Sequence, residues 1–253
     1  LPEATWIILP SNMGVISDSG VSIVHQALNN VDSLLLGPGW GTERSTADFM
    51  RGMLLPVNES ATGGIGFAVE SNGKSIAELD LDQLPPTVVD ADGLKLLVEL
   101  PDWYLRLPAL SVLTPHPGEM AFLTGMSIDD IQADRIGVAS RFALEWGHIV
   151  VLKGAFTVVS TPEGNVTVHP FATSALACAG TGDVLAGLIA GLLAQGMQPH
   201  QAAVAGTFLH GLAGEIALSE VGTAASVLAS DIGSVVGADI DFIISGTYMF
   251  PLE

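Results

Sequence analysis

The sequence predicts a three-layer α/β sandwich, with a mostly parallel central sheet, helices on both faces and one antiparallel hairpin. Three observations predict it. Short runs of apolar residues, each closed by Gly, Pro or Asp, alternate with helical stretches along the chain; this is the order that parallel strands and crossover helices produce. Two turn signals, Gly154-Ala-Phe156 and Pro162-Glu-Gly-Asn165, follow one strand in quick succession, as where a sheet ends in a hairpin. The 29 glycines against 6% aromatic residues leave the packing to small side chains, which suits helices lying close on a sheet.

Each element follows from its local pattern. Val31-Asp-Ser-Leu-Leu-Leu36 is a buried strand running into the glycine loop Gly37-Pro-Gly-Trp-Gly41, with a helix from about Thr42 to Leu55. Thr87-Val-Val-Asp90 is a second strand, ending at Asp90-Ala-Asp92 ahead of a short helix to Leu100. Ser111-Val-Leu-Thr114 is a third, ending at Pro115-His-Pro-Gly-Glu119. Ser127 to Trp146 is the clearest amphipathic helix, capped by Ser127 and closed by Gly147, with Ile128, Ile131, Arg135, Val138, Phe142 and Trp146 on one face. His148 to Lys153 is a strand, and Thr157-Val-Val-Ser160 with Val166-Thr-Val-His169 forms the antiparallel flap. Two helices of small residues follow, at about Gly182 to Gln195 and Pro199 to Glu220. Val57 to Leu84, glycine-containing and weakly periodic, reads as an insertion or lid-like excursion.

Composition excludes several functions. The chain has 253 residues, and 27 Asp and Glu against 8 Lys and Arg give a net charge of −19. A polyanion is repelled by such a surface, so general nucleic-acid binding is excluded, and an acidic membrane surface is disfavoured for the same reason. A small anion can still bind if backbone N–H groups, a helix N-terminus or one well-placed Lys hold it. The single cysteine, Cys178, excludes a disulfide within the chain and any multi-cysteine zinc site. Mean hydropathy is high, at +0.50, yet the longest apolar run, Val184 to Ala194, is 11 residues, and a membrane span needs about 20. With no basic leader pattern at Leu1-Pro-Glu-Ala-Thr5, the expected compartment is the cytoplasm, with no membrane partner.

The chemistry concentrates at Ala179-Gly-Thr-Gly-Asp-Val-Leu-Ala-Gly187. Glycines let the backbone approach an anion, and the start of a helix points unpaired N–H groups at it. An aspartate in that turn, Asp183, can take a proton from a substrate hydroxyl; it can equally be a plain helix-start residue favoured by the macrodipole. The Gly-Lys-Ser/Thr of a Walker loop is missing from this segment. Cys178, just before the loop, reads as a packing residue, and His210 as a satisfied core or cavity residue. Asp90 and Asp92 sit at the carboxyl end of a strand, where open α/β sheets bind ligands, although salt-bridge or capping roles suit them as well.

Five strings occur in order: Gly37-Pro-Gly-Trp-Gly41, Val89-Asp-Ala-Asp92, Leu113-Thr-Pro-His-Pro-Gly-Glu119, Val151-Leu-Lys-Gly-Ala155 and Gly180-Thr-Gly-Asp-Val-Leu-Ala-Gly187. Together they resemble the ADP- or ATP-dependent NAD(P)H-hydrate dehydratases of ribokinase-like fold, over nearly the whole chain. The resemblance implies a hydro-lyase that repairs hydrated NADH or NADPH with ADP (or ATP) and Mg²⁺. It implies one ribokinase-like domain over residues 1–253 that lacks the strand–helix unit with which family members usually begin, and a homotetramer. Carried over by position, Asp183 contacts the hydrate and takes the hydroxyl proton, while His116 and Gly41 contact the hydrate. Lys153, Gly154, Ala155, Phe156 and Thr157 line the nucleotide, Gly180, Thr181 and Gly182 hold its phosphates, and Glu119 helps hold Mg²⁺. The competing expectations are a ribokinase-like kinase of a vitamin-precursor alcohol and an inactive nucleotide-binding subunit.

Overall fold

The structure is a computed structural model that describes residues 3–55 and 84–244. The insertion expected at residues 57–84 lies outside the described residues except for Leu84, which is buried.

A two-stranded ribbon, β1 (Ser11–Asn12) and β2 (Val15–Ile16), and helix α1 (Val21–Leu28) come first. The main sheet follows: β3 (Leu34–Leu36), β4 (Thr87–Val89), β5 (Val112–Leu113), β6 (Ile149–Leu152), β7 (Val158–Ser160) and β8 (Val166–Val168), neighbours in that order. The first four strands are parallel, and β7 and β8 are antiparallel to their neighbours. The expected hairpin is therefore present, as are all the expected strands, trimmed at their ends.

Side-chain alternation explains why the sheet is covered on both faces. Leu36, Val89, Leu113, Val150, Leu152 and Val158 face one core. Helices α2 (Arg44–Leu54), α3 (Asp92–Leu97), α4 (Pro117–Thr124), α5 (Ile128–Ala133) and α6 (Arg135–Trp146) close that side. Val88, Val112, Ile149, Val151 and Val159 face the other core, under α7 (Thr181–Ala194) and α8 (Pro199–Val221). Helix α9 (Ala229–Ile244) packs outside, against α8 and α7. By length and composition α8 is apolar enough to cross a membrane, but 61% of its most apolar window is buried inside this fold.

Gly37, at the end of β3, shows why a glycine loop follows that strand. With φ +115° it passes so close to α3 that a Cβ would collide with Asp90 O and Gly93 N. A side chain there would push α3, and with it Asp92, off the sheet end.

Two expectations are corrected. The stretch from Ser127 to Trp146 is two helices, not one. Asp134 leaves the helical region (φ −143°, ψ 67°), and its carboxylate accepts the Gly137 N–H at 2.8 Å, which starts a new helix. Ile131, Val138, Phe142 and Trp146 are buried as expected, whereas Ile128 is half exposed. The two prolines of Pro115-His-Pro-Gly-Glu119 suggest a loop after the strand, yet Pro117 opens α4. Pro suits a first helical position, and His116 closes a capping box with Glu119.

Candidate functional site

The carboxyl ends of β4, β5 and β6 meet the start of α7, and a cleft of about 550 Å³ opens between them. His116, Lys153, Gly154, Ala155, Thr157, Thr181 and Gly182 all line it, so six of the eight residues expected at the nucleotide come together with the histidine expected at the hydrate. The other two stand just outside the lining. Phe156 is half exposed with φ +55°, and Gly180 is the left-handed cap that turns the chain into α7. Phe171 and Leu176 form an apolar wall, and Cys178 lines the cleft partly exposed, instead of serving as a buried packing residue.

Helix α7 points its first turn into this cleft without a side-chain cap. Its first backbone N–H groups have no intrahelical acceptor, and about half a positive charge sits at such a terminus. Gly182 keeps the approach open: a Cβ there would lie 3.3 Å from Lys153 Nζ and 3.8 Å from Asp90 Oδ2.

Under the cleft lies a buried charge cluster. Lys153 Nζ donates to Asp90 Oδ1 at 2.6 Å and lies 3.5 Å from Glu119 Oε2. Asp90 is 1% exposed, and its Oδ2 has no hydrogen-bond partner among the described residues. Glu119, also buried, accepts the His116 backbone N–H at 2.8 Å, and its Oε1 lies 3.4 Å from His116 Nε2. His116 Nδ1 accepts from the N–H groups of Gly118 and Glu119 at 3.0 and 3.2 Å. Those two bonds assign the ring proton of the neutral imidazole to Nε2.

Gly41 stands at a neighbouring point of the same sheet end, outside the cleft lining. Its N–H donates to Asp92 Oδ2 at 3.0 Å, while Asp92 Oδ1 pairs with Lys95 Nζ at 2.8 Å. The Lys95 hydrogen bond holds the Asp92 carboxyl below its ordinary range and raises Lys95. Asp90 and Asp92 thus both take the salt-bridge role. Asp183 is exposed in the first turn of α7 and is not part of the lining.

Among the described residues no group of three or more His, Cys, Asp or Glu could by itself hold a metal. The orphaned Asp90 Oδ2 is nevertheless a hard oxygen donor beside the cleft floor, and Glu119 offers a second carboxylate. That set fits Mg²⁺ arriving with phosphate and water ligands of its own.

Sequence reasoning placed one residue elsewhere, Arg135, and a second, His210, where it is found, as a satisfied cavity residue. Arg135, read as part of an apolar helix face, donates through Nη2 to Leu152 O at 2.8 Å and Lys153 O at 3.3 Å, tying α6 to the end of β6. Burial lowers its pKa. A charged residue on an apolar face was the available signal. His210 lines the cleft from α8, with Nε2 2.8 Å from Thr181 O.

The chain is similar to known proteins along most of its length. The family model described as NAD(P)H-hydrate dehydratase matches residues 8–236. The bifunctional NAD(P)H-hydrate repair enzyme Nnr of Moorella thermoacetica is 36% identical over 219 residues, 87% of this chain and 36% of that protein. The ADP-dependent (S)-NAD(P)H-hydrate dehydratase of Neisseria meningitidis serogroup B is 41% identical over 151 residues, 58% of this chain and 50% of that one. The chain therefore spans between about a third and a half of the length of these curated relatives. Among solved structures, the ADP/ATP-dependent NAD(P)H-hydrate dehydratase of Bacillus subtilis, co-crystallised with ATP/Mg²⁺ and soaked with CoA, superimposes with TM-score 0.64 at 24% identity, over 87% of this chain and 70% of that one. That likeness shows a shared fold.

Proposed function

We propose the function of this chain from the family to which it belongs, the NAD(P)H-hydrate dehydratases. It dehydrates the S form of NAD(P)H hydrate to NAD(P)H in a reaction driven by ADP, with release of AMP and phosphate. Hydroxide leaves a saturated ring carbon poorly and phosphate leaves well. Transfer of a phosphoryl group to the ring hydroxyl therefore converts the water into a leaving group. Loss of phosphate from that carbon and of a proton from the neighbouring one restores the ring double bond. The protein supplies position and charge stabilisation, as phosphoryl transfer requires.

The single observation that carries this reading is the cleft in which the Lys153–Thr157 segment faces the uncapped first turn of α7. In this reading the N–H groups around Gly180, Thr181 and Gly182 hold the nucleotide phosphates, and Lys153, Gly154, Ala155, Phe156 and Thr157 flank the nucleotide. His116 and Gly41 meet the hydrate, and Asp183 takes the hydroxyl proton. Asp90 and Glu119 would hold Mg²⁺, whose contribution is to neutralise charge on the transferring phosphoryl group. The proposed setting is the cytoplasm, as a homotetramer of a single ribokinase-like domain.

The test is incubation with hydrated NADPH, ADP and Mg²⁺ while the absorbance of the reduced ring is followed. Recovery of absorbance with equimolar AMP and phosphate is expected. No recovery with either ADP or ATP overturns the proposal, and accumulation of a stable phosphorylated alcohol would move the chain to the kinases.

A further inference from the structure

We infer that His210 is a positioning residue whose imidazole N–H fixes the first turn of α7 in the orientation that presents its backbone N–H groups to the cleft. The nucleotide part of this inference rests on the function proposed above; the positioning part rests on geometry alone. A carbonyl can only accept, so the 2.8 Å contact between His210 Nε2 and Thr181 O puts the ring proton on Nε2. The residue is 7% exposed, so the bond is shielded from competing water.

Two features make the turn dependent on an outside tie. It has no side-chain cap, and Gly180 and Gly182 flank Thr181, so its local backbone is unusually free. Thr181 gathers the restraints. Its hydroxyl lies 2.7 Å from Leu176 O and 2.9 Å from Cys178 O, which binds it to the cleft wall, while its own carbonyl is held by His210. The His210 end of the tie is itself immobilised. Two glycines of α8 seat that same wall: a Cβ on Gly214 would lie 2.6 Å from a Leu176 methyl, and one on Gly211 would collide with the Phe171 ring. Helix α8 thus sets the wall through two glycines and the anion-facing turn through one histidine. Burial, with the nearby Lys153 charge, pushes the His210 pKa down to about 4, so the ring is neutral at neutral pH and Nδ1 carries no proton.

The test compares His210→Gln, His210→Asn and His210→Leu. A Gln amide nitrogen falls close to the position of Nε2 and can still donate to Thr181; an Asn amide nitrogen falls near Nδ1 and cannot. Hydrogen exchange over residues 180–185, measured without nucleotide, should be kept in Gln and accelerated in Asn and Leu, with other helices unchanged. ADP affinity should follow the same order, falling about tenfold in Asn and Leu and staying within about threefold of the parent in Gln. Protection kept in Asn, or lost equally in Gln and Leu, overturns the inference. If the parent binds no ADP while exchange follows the expected order, the proposed function fails and the positioning role stands. If Asn and Leu do not fold, the ¹⁵N imidazole spectrum of the parent decides: a hydrogen-bonded Nε2–H tautomer supports the inference, and an Nδ1–H tautomer overturns it.

Discussion

Replacing Lys153 by Met keeps the apolar stem and removes the charge that two buried carboxylates share. Lys153 Nζ is 2.6 Å from Asp90 Oδ1 and 3.5 Å from Glu119 Oε2, and those two side chains are only 1% and 5% exposed. Asp90 Oδ2 already lacks a partner among the described residues. The substitution therefore leaves a carboxylate with neither oxygen paired at the cleft floor. Stranding one member of a buried ion pair costs about 3–5 kcal/mol, and because Lys153 is itself 16% exposed water reaches the gap, so the lower end, about 3 kcal/mol, is expected. At about 2–4 °C of melting temperature per kcal/mol for a domain of this size, the melt should fall by about 6–12 °C. A solvated strand-end lysine would cost under about 1 kcal/mol. Urea unfolding and thermal melts of Lys153→Met, Asp90→Asn and the double variant make the measurement. The double variant should recover much of the loss, because Asn at 90 no longer carries an unpaired charge. A melt for Lys153→Met within about 2 °C of the parent, or strictly additive effects in the double variant, would refute the buried-cluster argument.

Two further outcomes are expected. Asp183→Asn, at an exposed position, should lower turnover by roughly 10²–10⁴-fold if Asp183 is the general base, with stability changed by no more than about 0.3–1 kcal/mol; near-normal turnover removes that assignment. Stability should also fall on acidification: His210 drops from 6.5 in the open chain to about 4 when folded, so the unfolded state binds the proton first. The contribution, about 3 kcal/mol, is full above about pH 6.5 and lost as pH falls toward 4. Burial shifts His148 and His169 the same way. Urea midpoints at about pH 7 and pH 5 measure it, and His210→Gln should flatten the slope; a midpoint that rises on acidification contradicts the sign.

The central strands β4 to β7 were legible because they are buried on both faces. A run such as Ile149-Val-Val-Leu152 has no polar position to confuse its period. The hairpin was legible from its turn residues. The split at Asp134 was not, because apolar spacing continues through it; only the side chain's competition for the Gly137 N–H ends one helix and begins another. Helix α4 was hidden by two prolines, one of which is the helix start. At the site, the glycine loop and Lys153 could be placed from local chemistry. The pairing of Lys153 with Asp90, 63 residues away, and the tie from His210 to Thr181, 29 residues away, depend on which strand ends and helices become neighbours. No local pattern encodes those.

That pairing changes how an acidic chain can hold an anion. Lys153 is the basic residue that the proposed function sets beside the nucleotide, yet its ammonium is already engaged by Asp90 and faces Glu119. It offsets carboxylates more than it adds attraction, so the attraction in this cleft falls chiefly to the start of α7. A helix terminus offers only about half a charge, and its effect fades within a turn, so its N–H groups must be aimed closely at the ligand. A turn built around Gly180 and Gly182 gives an anion room to approach but little stiffness of its own. Stiffness has to come from outside the turn, and in this fold it comes through Thr181, held by the wall loop at Leu176 and Cys178 and by His210 of α8.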